Sequence, residues 1–382
     1  MSTIQTKLVR ILMALAVAGA VLLAVAAVVA FIRVSADWLA ATDGIADPTK
    51  RAEETGRART VVLAVLAGTL AAVGAYYTHR NYQLTRQGQI TERFTRAVDQ
   101  LGNRDSMDVR LGGIYALERV ARDSAYDHGP IVEILTAFVR ERTPIPDEDV
   151  IENLIQMEPD VYPKPPEADV QAALTVLGRR KAAYDPPAPW RINFAGCYLP
   201  RAHLQGAQLQ RADLSYTVLT DAKLERSVLT NARLVGAKMY MTNLTDAKLT
   251  GVNLREAFAN RAVFASADLS EAVLAGGRFR GAEFVYAALR DAKLDDADLE
   301  GASLSGSNLA GASLSGANLA NASLTRADLS ASHLDGARFG GADFRSARLG
   351  NARYDSDTVW PNGFDPVAAG AACISASADA GS

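Results

Sequence analysis

The chain of 382 residues has little of what usually marks an enzyme or a metalloprotein. Its two cysteines, Cys197 and Cys373, and its four histidines, His79, His128, His203 and His333, are scattered, with no CxxC pair and no Cys/His cluster. That excludes a disulfide framework and a zinc module. No P-loop, GxGxxG, GxSxG, HExxH or EF-hand loop occurs, so no cofactor and no reaction class is indicated. An excess of one charge is missing too: the formal net charge is −3.

What is there is a beat of five. From Phe194 to Tyr354 every fifth residue is large and apolar over 33 positions, except for the small Ala259 and the soft substitute Met239. Two residues before each stands a small side chain, usually alanine, as at Ala202, Ala207, Ala212, Ala222 and Ala232. A period of five fits neither the 3.6 of a helix nor the 2.0 of a strand. It is sustained only if the chain turns a corner every five residues and presents the same two positions inward, which is the mark of a solenoid. Leu204, Leu214, Leu254, Leu299, Leu314 and Phe344 are core positions by this count, each worth on the order of 1.5–3 kcal/mol when buried. Cys197 falls at the small inward position and reads as packing.

The unit A-(D/N)-L-x-x, as in Ala212-Asp213-Leu214-Ser215, Ala267-Asp268-Leu269-Ser270 and Ala317-Asn318-Leu319-Ala320, resembles the pentapeptide-repeat motif. The resemblance implies a mainly β solenoid over 191–358, the right-handed quadrilateral pentapeptide β-helix, with four units to a coil. That makes about 8 coils and a rod roughly 40 Å long at the usual strand spacing. An open solenoid end needs a cap. At the C-terminal end the candidate is Val359-Trp360-Pro361-Asn362-Gly363-Phe364, whose proline cannot donate to a further coil and whose aromatics can cover the last layer. From Ala368 the composition reads as a disordered tail, so 359–382 is cap and tail.

Two apolar runs come first. Ile11–Ile32 is uninterrupted and suits a membrane-spanning helix; Val61–Tyr77 is just long enough, with Tyr76 and Tyr77 where interfacial aromatics belong. Residues 1–80 are therefore expected to form a two-helix transmembrane hairpin with a short loop, making membrane lipid a partner. A cleaved signal peptide is the alternative for the first run, set aside because the run is long for one and a second follows. Lys7 and Arg10 before the hairpin, and Arg80, Arg86, Arg93 and Arg96 after it, face Arg33, Lys50, Arg51, Arg57 and Arg59 in the loop. The margin is thin. The short outer loop and the unpaired cysteines favour an inner (plasma) membrane protein with both termini and the β-helix in the cytoplasm.

From residue 81 to 145 the pattern is helical. Ile90, Phe94, Ala97, Val98 and Leu101 share a face up to the stop at Gly102-Asn103; Asp108 reads as an N-cap for Val109–Arg122; and Asp127 or Pro130 opens a third helix ended by Pro144 and Pro146. The phrase Asp108–Leu117 resembles the second helix of a HEAT-like repeat, with a weaker echo at Asp169–Leu177. The arrangement from Gln89 into the repeats is similar to a group of bacterial membrane-anchored pentapeptide-repeat proteins, which carries no activity over. Residues 146–190 read as a Pro-rich linker with one helix, 169–184, either a free adaptor or a cap on the first coil. The cap is preferred because that end otherwise lies bare.

The only polar cluster that invites a catalytic reading is Glu118, Asp127 and His128, against which stands ordinary capping and salt bridging. Arg110, Arg119 and Arg122 could meet phosphate or lipid headgroups, but Glu118 and Asp123 among them point to a solvated mixed face. Asp291, Asp295, Asp296, Asp298 and Glu300 form an acidic band, read as solvated in preference to a Ca²⁺ site. Some pentapeptide-repeat proteins protect topoisomerase by mimicking DNA. Between Arg191 and Asp355, however, 17 Asp+Glu face 19 Lys+Arg, a balance of +2, which disfavours polyanion mimicry, and no basic stripe is set for nucleic acid. With coils of 20 residues, Tyr198, Val218 and Phe258 stack on one face at a normally polar position, near Tyr216, Val235, Tyr240 and Met241. A solvent-facing apolar patch of this kind marks contact with the chain's own helical region, a protein partner or a second copy. The reading is a membrane-tethered, non-enzymatic scaffold, without cofactor, that presents a rigid β-helical surface for protein–protein interaction. The alternatives are a regulator of a DNA enzyme such as topoisomerase by surface mimicry, and an enzyme hidden in the helical region.

Overall fold

A computed structural model describes residues 47–146 and 163–374, together with Gly19, Ala26, Val28 and Val29. Apart from those four positions, the run Ile11–Ile32 and the first part of the expected hairpin lie outside the described residues. The chain forms two compact units, Met1–Glu92 and Arg93–Ser382.

From Pro48 the described chain forms helix α1 (Pro48–Leu101), 54 residues without an internal proline. Val61–Tyr77 is thus not a separate arm ending near residue 80. With no helix breaker between it and Leu101, it is one stretch of a longer helix. Among the described residues no helix is long and apolar enough to cross a membrane. Val61, Leu63, Val65, Leu70 and Tyr77 are exposed.

The second unit opens with a small bundle of α2 (Met107–Asp123), α3 (Ala125–Arg142) and α4 (Ala168–Gly178), each packed on the other two. Ser106, not Asp108, caps α2 by accepting from Val109 N, and Ser124 caps α3 by accepting from Asp127 N; a short hydroxyl reaches the free first-turn N–H groups well. Gly113 is obligatory, because a Cβ there would lie 2.7 Å from Ala97 O and Leu101 N. The helix expected over 169–184 ends at Gly178 and is followed by a 3₁₀ turn at Ala182–Tyr184. Nor is the region around it a free linker. Asp169 is buried and bonds Arg110 Nε at 2.6 Å, Pro186 packs on Gly129, and Trp190 Nε1 donates to Glu133 at 3.0 Å.

The rod follows as parallel bridges between residues 20 apart, from Asn193↔Asp213 to His333↔Arg353. Its backbone accounts are almost closed. In the coil around Leu299, Asp298 N donates to Gly277 O on one side and Leu299 N to Asn318 O on the other; Gly301 N donates to Ala320 O and Ala302 N closes the turn on Leu299 O. The remaining donor follows the central residue, and the Asp or Asn of the motif takes it. Asp213, Asn243, Asn253, Asp268, Asn308, Asn318, Asp328 and Asp343 each accept from the backbone N–H two residues on. This is the Asx-turn, and it explains why the motif wants Asp or Asn beside its leucine. Two residues after each leucine the backbone is left-handed, at glycines such as Gly206 and Gly301 but also at Arg201, Tyr216, Met241 and Tyr286.

Leu204, Leu214, Leu254, Leu299, Leu314 and Phe344 are buried inside the shaft. The exceptional Ala259 stands one coil below Phe279 in the same column. Beside it Phe264 and Phe284 stack at 4.8 Å, Phe279 meets both edge-on at 6.2 and 5.8 Å, and a Cβ on Gly277 would run into the Phe279 ring.

The helical bundle closes the first coil. Tyr198, His203 and Gln208 have no earlier coil to donate to. Their N–H groups go instead to Thr143 O (2.8 Å), Gln171 Oε1 (2.9 Å) and Gly178 O (2.7 Å). At the other end Trp360 stacks on Phe339 at 5.0 Å and Phe364 on Phe344 at 4.6 Å. The segment after Ala368 is not all tail: β2 (Ala372–Cys373) pairs in parallel with β1 (Arg353–Tyr354), because the edge of the last coil still offers partners.

Candidate functional site

Two places hold the residues singled out from the sequence. On the rod, the ladder Tyr198–Val218–Lys238–Phe258–Arg278 runs up one face. Val218 is not part of a solvent-facing patch. It is 1 % exposed, since its ladder neighbours Tyr198 and Lys238 are both larger and stand over it. Tyr198, Val235, Tyr240 and Phe258 are half-buried. Burial pushes the Tyr198 phenol up, Tyr240 Oη accepts from Arg261 at 3.2 Å, and the Arg278 guanidinium lies 4.9 Å from the Phe258 ring centre. The exposed members are Tyr216, at 60 %, and Met241, at 38 %. They sit one coil and one corner apart, both on left-handed backbone that throws the side chain outward. The Tyr216 ring lies flat over Gly236, where any Cβ would come within 2.6 Å of it. Tyr286, 69 % exposed over Gly306, repeats the device elsewhere on the rod. Sequence reading missed it, although an aromatic two residues after the leucine with a glycine 20 residues on is a visible signal.

In the bundle, Glu118, Asp127 and His128 do not converge. Glu118 takes both Arg179 Nε and Nη2 at 2.7 Å and Arg122 at 3.2 Å, and it pushes the Arg179 guanidinium up. Asp127 is held by Ser124 at the start of α3. His128, 1 % exposed, bonds Asp185 through Nε2 at 3.1 Å. Burial pushes the Asp185 carboxyl up, but hydrogen bonds from His128 and Arg180 outweigh it and leave the group below its ordinary value. A cavity of about 80 Å³ lies between Glu118 and His128. No hydroxyl or thiol nucleophile lines it, and Asp127 stays outside. Arg110, expected on a solvated face, is 6 % exposed and locked to Asp169; Arg119 and Arg122 are exposed. The acidic band is spread over separate partners: Asp298 and Glu300 on Arg280, Asp291 on Arg290, and Asp295 on Ser313. Cys197 is buried, its thiol pushed up by desolvation, and Cys373 is exposed.

The family model "Pentapeptide repeats" matches eight copies over residues 191–226, 212–251, 247–284, 282–321 and 322–353. Among solved structures the chain is similar to HetL, a pentapeptide repeat protein involved in heterocyst differentiation regulation from the cyanobacterium Nostoc sp. strain PCC 7120. The two are 34% identical over 45% of this chain and 78% of HetL, with a TM-score of 0.42. A second pentapeptide repeat protein from Nostoc PCC 7120 is 31% identical over 30% of this chain and 86% of its own, with a TM-score of 0.17. QnrB1, a plasmid-mediated fluoroquinolone resistance protein, is 15% identical over 46% of this chain and 91% of its own, with a TM-score of 0.27. No curated protein matches the chain. With its A-(D/N)-L-x-x units matched over 191–353 and 34% identity to HetL over 78% of that protein, the chain belongs to the pentapeptide repeat family.

Proposed function

We propose that this chain is a membrane-tethered, non-enzymatic scaffold whose rod presents a rigid surface to a protein partner. The observation that carries the reading is the corner pair Tyr216 and Met241: large apolar side chains held in solvent beside half-buried Tyr198, Val235, Tyr240 and Phe258. Exposed apolar groups gathered on one site mark contact surfaces, and buried aromatics make the anchors of such contacts. The rod contributes by holding them on backbone ladders instead of loops, so little ordering entropy is lost on docking.

Tethering is supported by the run Ile11–Ile32 in the sequence and by the uncovered Val61, Leu63, Val65, Leu70 and Tyr77 of α1. These point from several angles of the helix, a surface suited to lipid. The cytoplasmic side is our reading for the rod, on the charge flanks and the free cysteines. Mimicry of a polyanion has no support in the rod surface, where Arg201–Asp221, Arg226–Asp246 and Arg348–Asp328 pair across coils at 3.4–3.7 Å.

Photo-crosslinking in intact membranes tests the reading, with the crosslinker at position 216 or 241 and, as control, at the exposed corner position 326. A discrete product from 216 and 241 alone is expected, the one from 216 lost on Met241→Lys and the one from 241 lost on Tyr216→Lys; its mass also separates a second copy from another protein. Identical products from all three positions would sink the contact surface. Release of the chain from membranes by alkaline carbonate with residues 1–80 intact would sink the tether.

A further inference from the structure

The cavity in the helical bundle has a use that neither the rod nor the scaffold reading requires. Its polar lining is Glu118, Arg122, His128, Arg179, Arg180 and Lys181, and the rest is apolar. Four cations thus face one carboxylate. Asp185, which touches His128 and Arg180, brings the local balance to two positive charges.

His128 supplies the second observation. Asp185 is a carboxylate that only accepts, so His128 Nε2 is the donor between them. The other ring nitrogen, Nδ1, is buried and has no partner, though the ring lines the cavity. A bare buried polar nitrogen is costly, by about 1–3 kcal/mol, and native structures seldom leave one. The cavity that the ring lines offers room for a partner. At about 80 Å³ the space is larger than the ~10–15 Å³ that holds a single water.

The rim cations have donors to spare. Arg122 bonds Glu118 through Nη2 only, Lys181 spends one proton on Arg122 O, and Arg179 uses Nε and Nη2 on Glu118. Arg180, by contrast, spends four of its five N–H groups on Asp185, Leu177 O and Gln208 O, which leaves it little to offer a ligand. We propose that this cavity binds a phosphate group, either as free phosphate or as the headgroup of a phosphomonoester. A hydrogen phosphate both donates and accepts, so it meets Nδ1 in either protonation state while its charged oxygens meet Arg122, Arg179 and Lys181.

The test uses the full chain in detergent, labelled with ¹⁵N in its four histidines. Inorganic phosphate is titrated against chloride at matched ionic strength, with glycerol phosphate and vesicles containing phosphatidic acid as further arms. Phosphate is expected to move the His128 ring-nitrogen resonances and leave His79, His203 and His333 in place. Lys181→Ala and Arg122→Ala, both at exposed positions, are each expected to weaken phosphate binding about five- to tenfold. His128→Asn should abolish it; if that variant fails to fold, the two rim variants carry the result. A response to glycerol phosphate and to vesicles as well would identify the headgroup source, and a response to inorganic phosphate alone the free ion. No resonance shift up to millimolar phosphate, or the same shift with chloride, would overturn the proposal. So would binding to vesicles without any response to phosphate.

Discussion

The two ends of the rod face the same problem and solve it with different forces. The first coil is closed by direction. Thr143 O, Gln171 Oε1 and Gly178 O each meet one orphan donor, of Tyr198, His203 and Gln208 in turn, and a buried Arg110–Asp169 pair holds the helices that carry them. The last coil is closed by bulk. Phe339, Phe344, Tyr354, Trp360 and Phe364 pile over the shaft with neighbouring centroids 4.6–5.7 Å apart. The Arg338–Val359 bridge and the short β1–β2 pair continue the ladder. Hydrogen bonds and ion pairs are specific but unforgiving when one partner is lost, whereas apolar stacking tolerates exchange within its volume. Substitution should therefore separate the ends by chemistry more than by size.

The largest effect is expected at the directional end. Asp169→Ala leaves Arg110 charged and buried without its carboxylate, a loss of about 3–5 kcal/mol. Urea unfolding followed through Trp190, which is bonded to Glu133 at this end, checks it; a loss below ~1 kcal/mol would make the pair dispensable. Trp360→Ala at the other end removes a ring that touches four others and should cost about 3 kcal/mol. By uncovering the last coil it should also favour end-to-end association, read by light scattering. Trp360→Phe sharpens the contrast. The indole N–H is buried without a partner, so trading it for a second phenyl ring should cost under ~1 kcal/mol. Comparable losses for both substitutions would show that the plug depends on more than bulk.

How much of this was legible in the sequence follows the same division. The rod could be read because its cause is local: the leucine, the alanine two residues before it and the corner all fall within five residues. So could the aromatic plug, where Trp360 and Phe364 lie close together in the chain. So could the capping of the first coil by the helix that starts near residue 169, expected because that end otherwise lies bare and made by Gln171 and Gly178; the pair that holds this cap could not, because Arg110 and Asp169 are 59 residues apart and nothing local marks either as the other's partner. The burial of Val218 escaped for a related reason: it depends on the sizes of Tyr198 and Lys238, one coil away on each side. The Asp and Asn of the motif were seen but not understood until the N–H two residues on was found to need an acceptor. The β2 pairing in an Ala/Ser/Gly stretch carried no side-chain signal, because a ladder is made by backbone.

A smaller effect isolates one of the three closing contacts. Gln171 both accepts from His203 N at 2.9 Å and donates to His203 O at 2.8 Å, as a neighbouring strand would. Gln171→Ala should cost about 1–2 kcal/mol and speed deuterium exchange at His203 while leaving Tyr198 and Gln208 protected. If all three exchange together, the cap lets go as a block and the contacts are not separable.

Acid distinguishes the ends most finely. Asp185 at the helical end has a depressed carboxyl pKa, with burial outweighed by His128 and Arg180. At the far end, hydrogen bonds from Arg345 lower Asp343 to about 2, and the backbone N–H of Gly336 lowers Asp355. A carboxylate depressed in the folded state stabilises it above the unfolded value, near pH 4, and that contribution fades as pH falls through the folded pKa. Both ends should thus weaken as the pH falls below about 4, followed in variants that keep only Trp190 or only Trp360. Their response to salt should differ. Asp343 pairs with Arg345 in solvent, where ions screen the attraction, while Asp185 is enclosed by His128 and Arg180, all three side chains at most 7 % exposed. Raising the salt should shrink the acid dependence at Trp360 and leave it at Trp190, where Asp185→Asn should remove it. Equal sensitivity to salt at the two tryptophans would mean that the helical closure is wetter than its geometry implies.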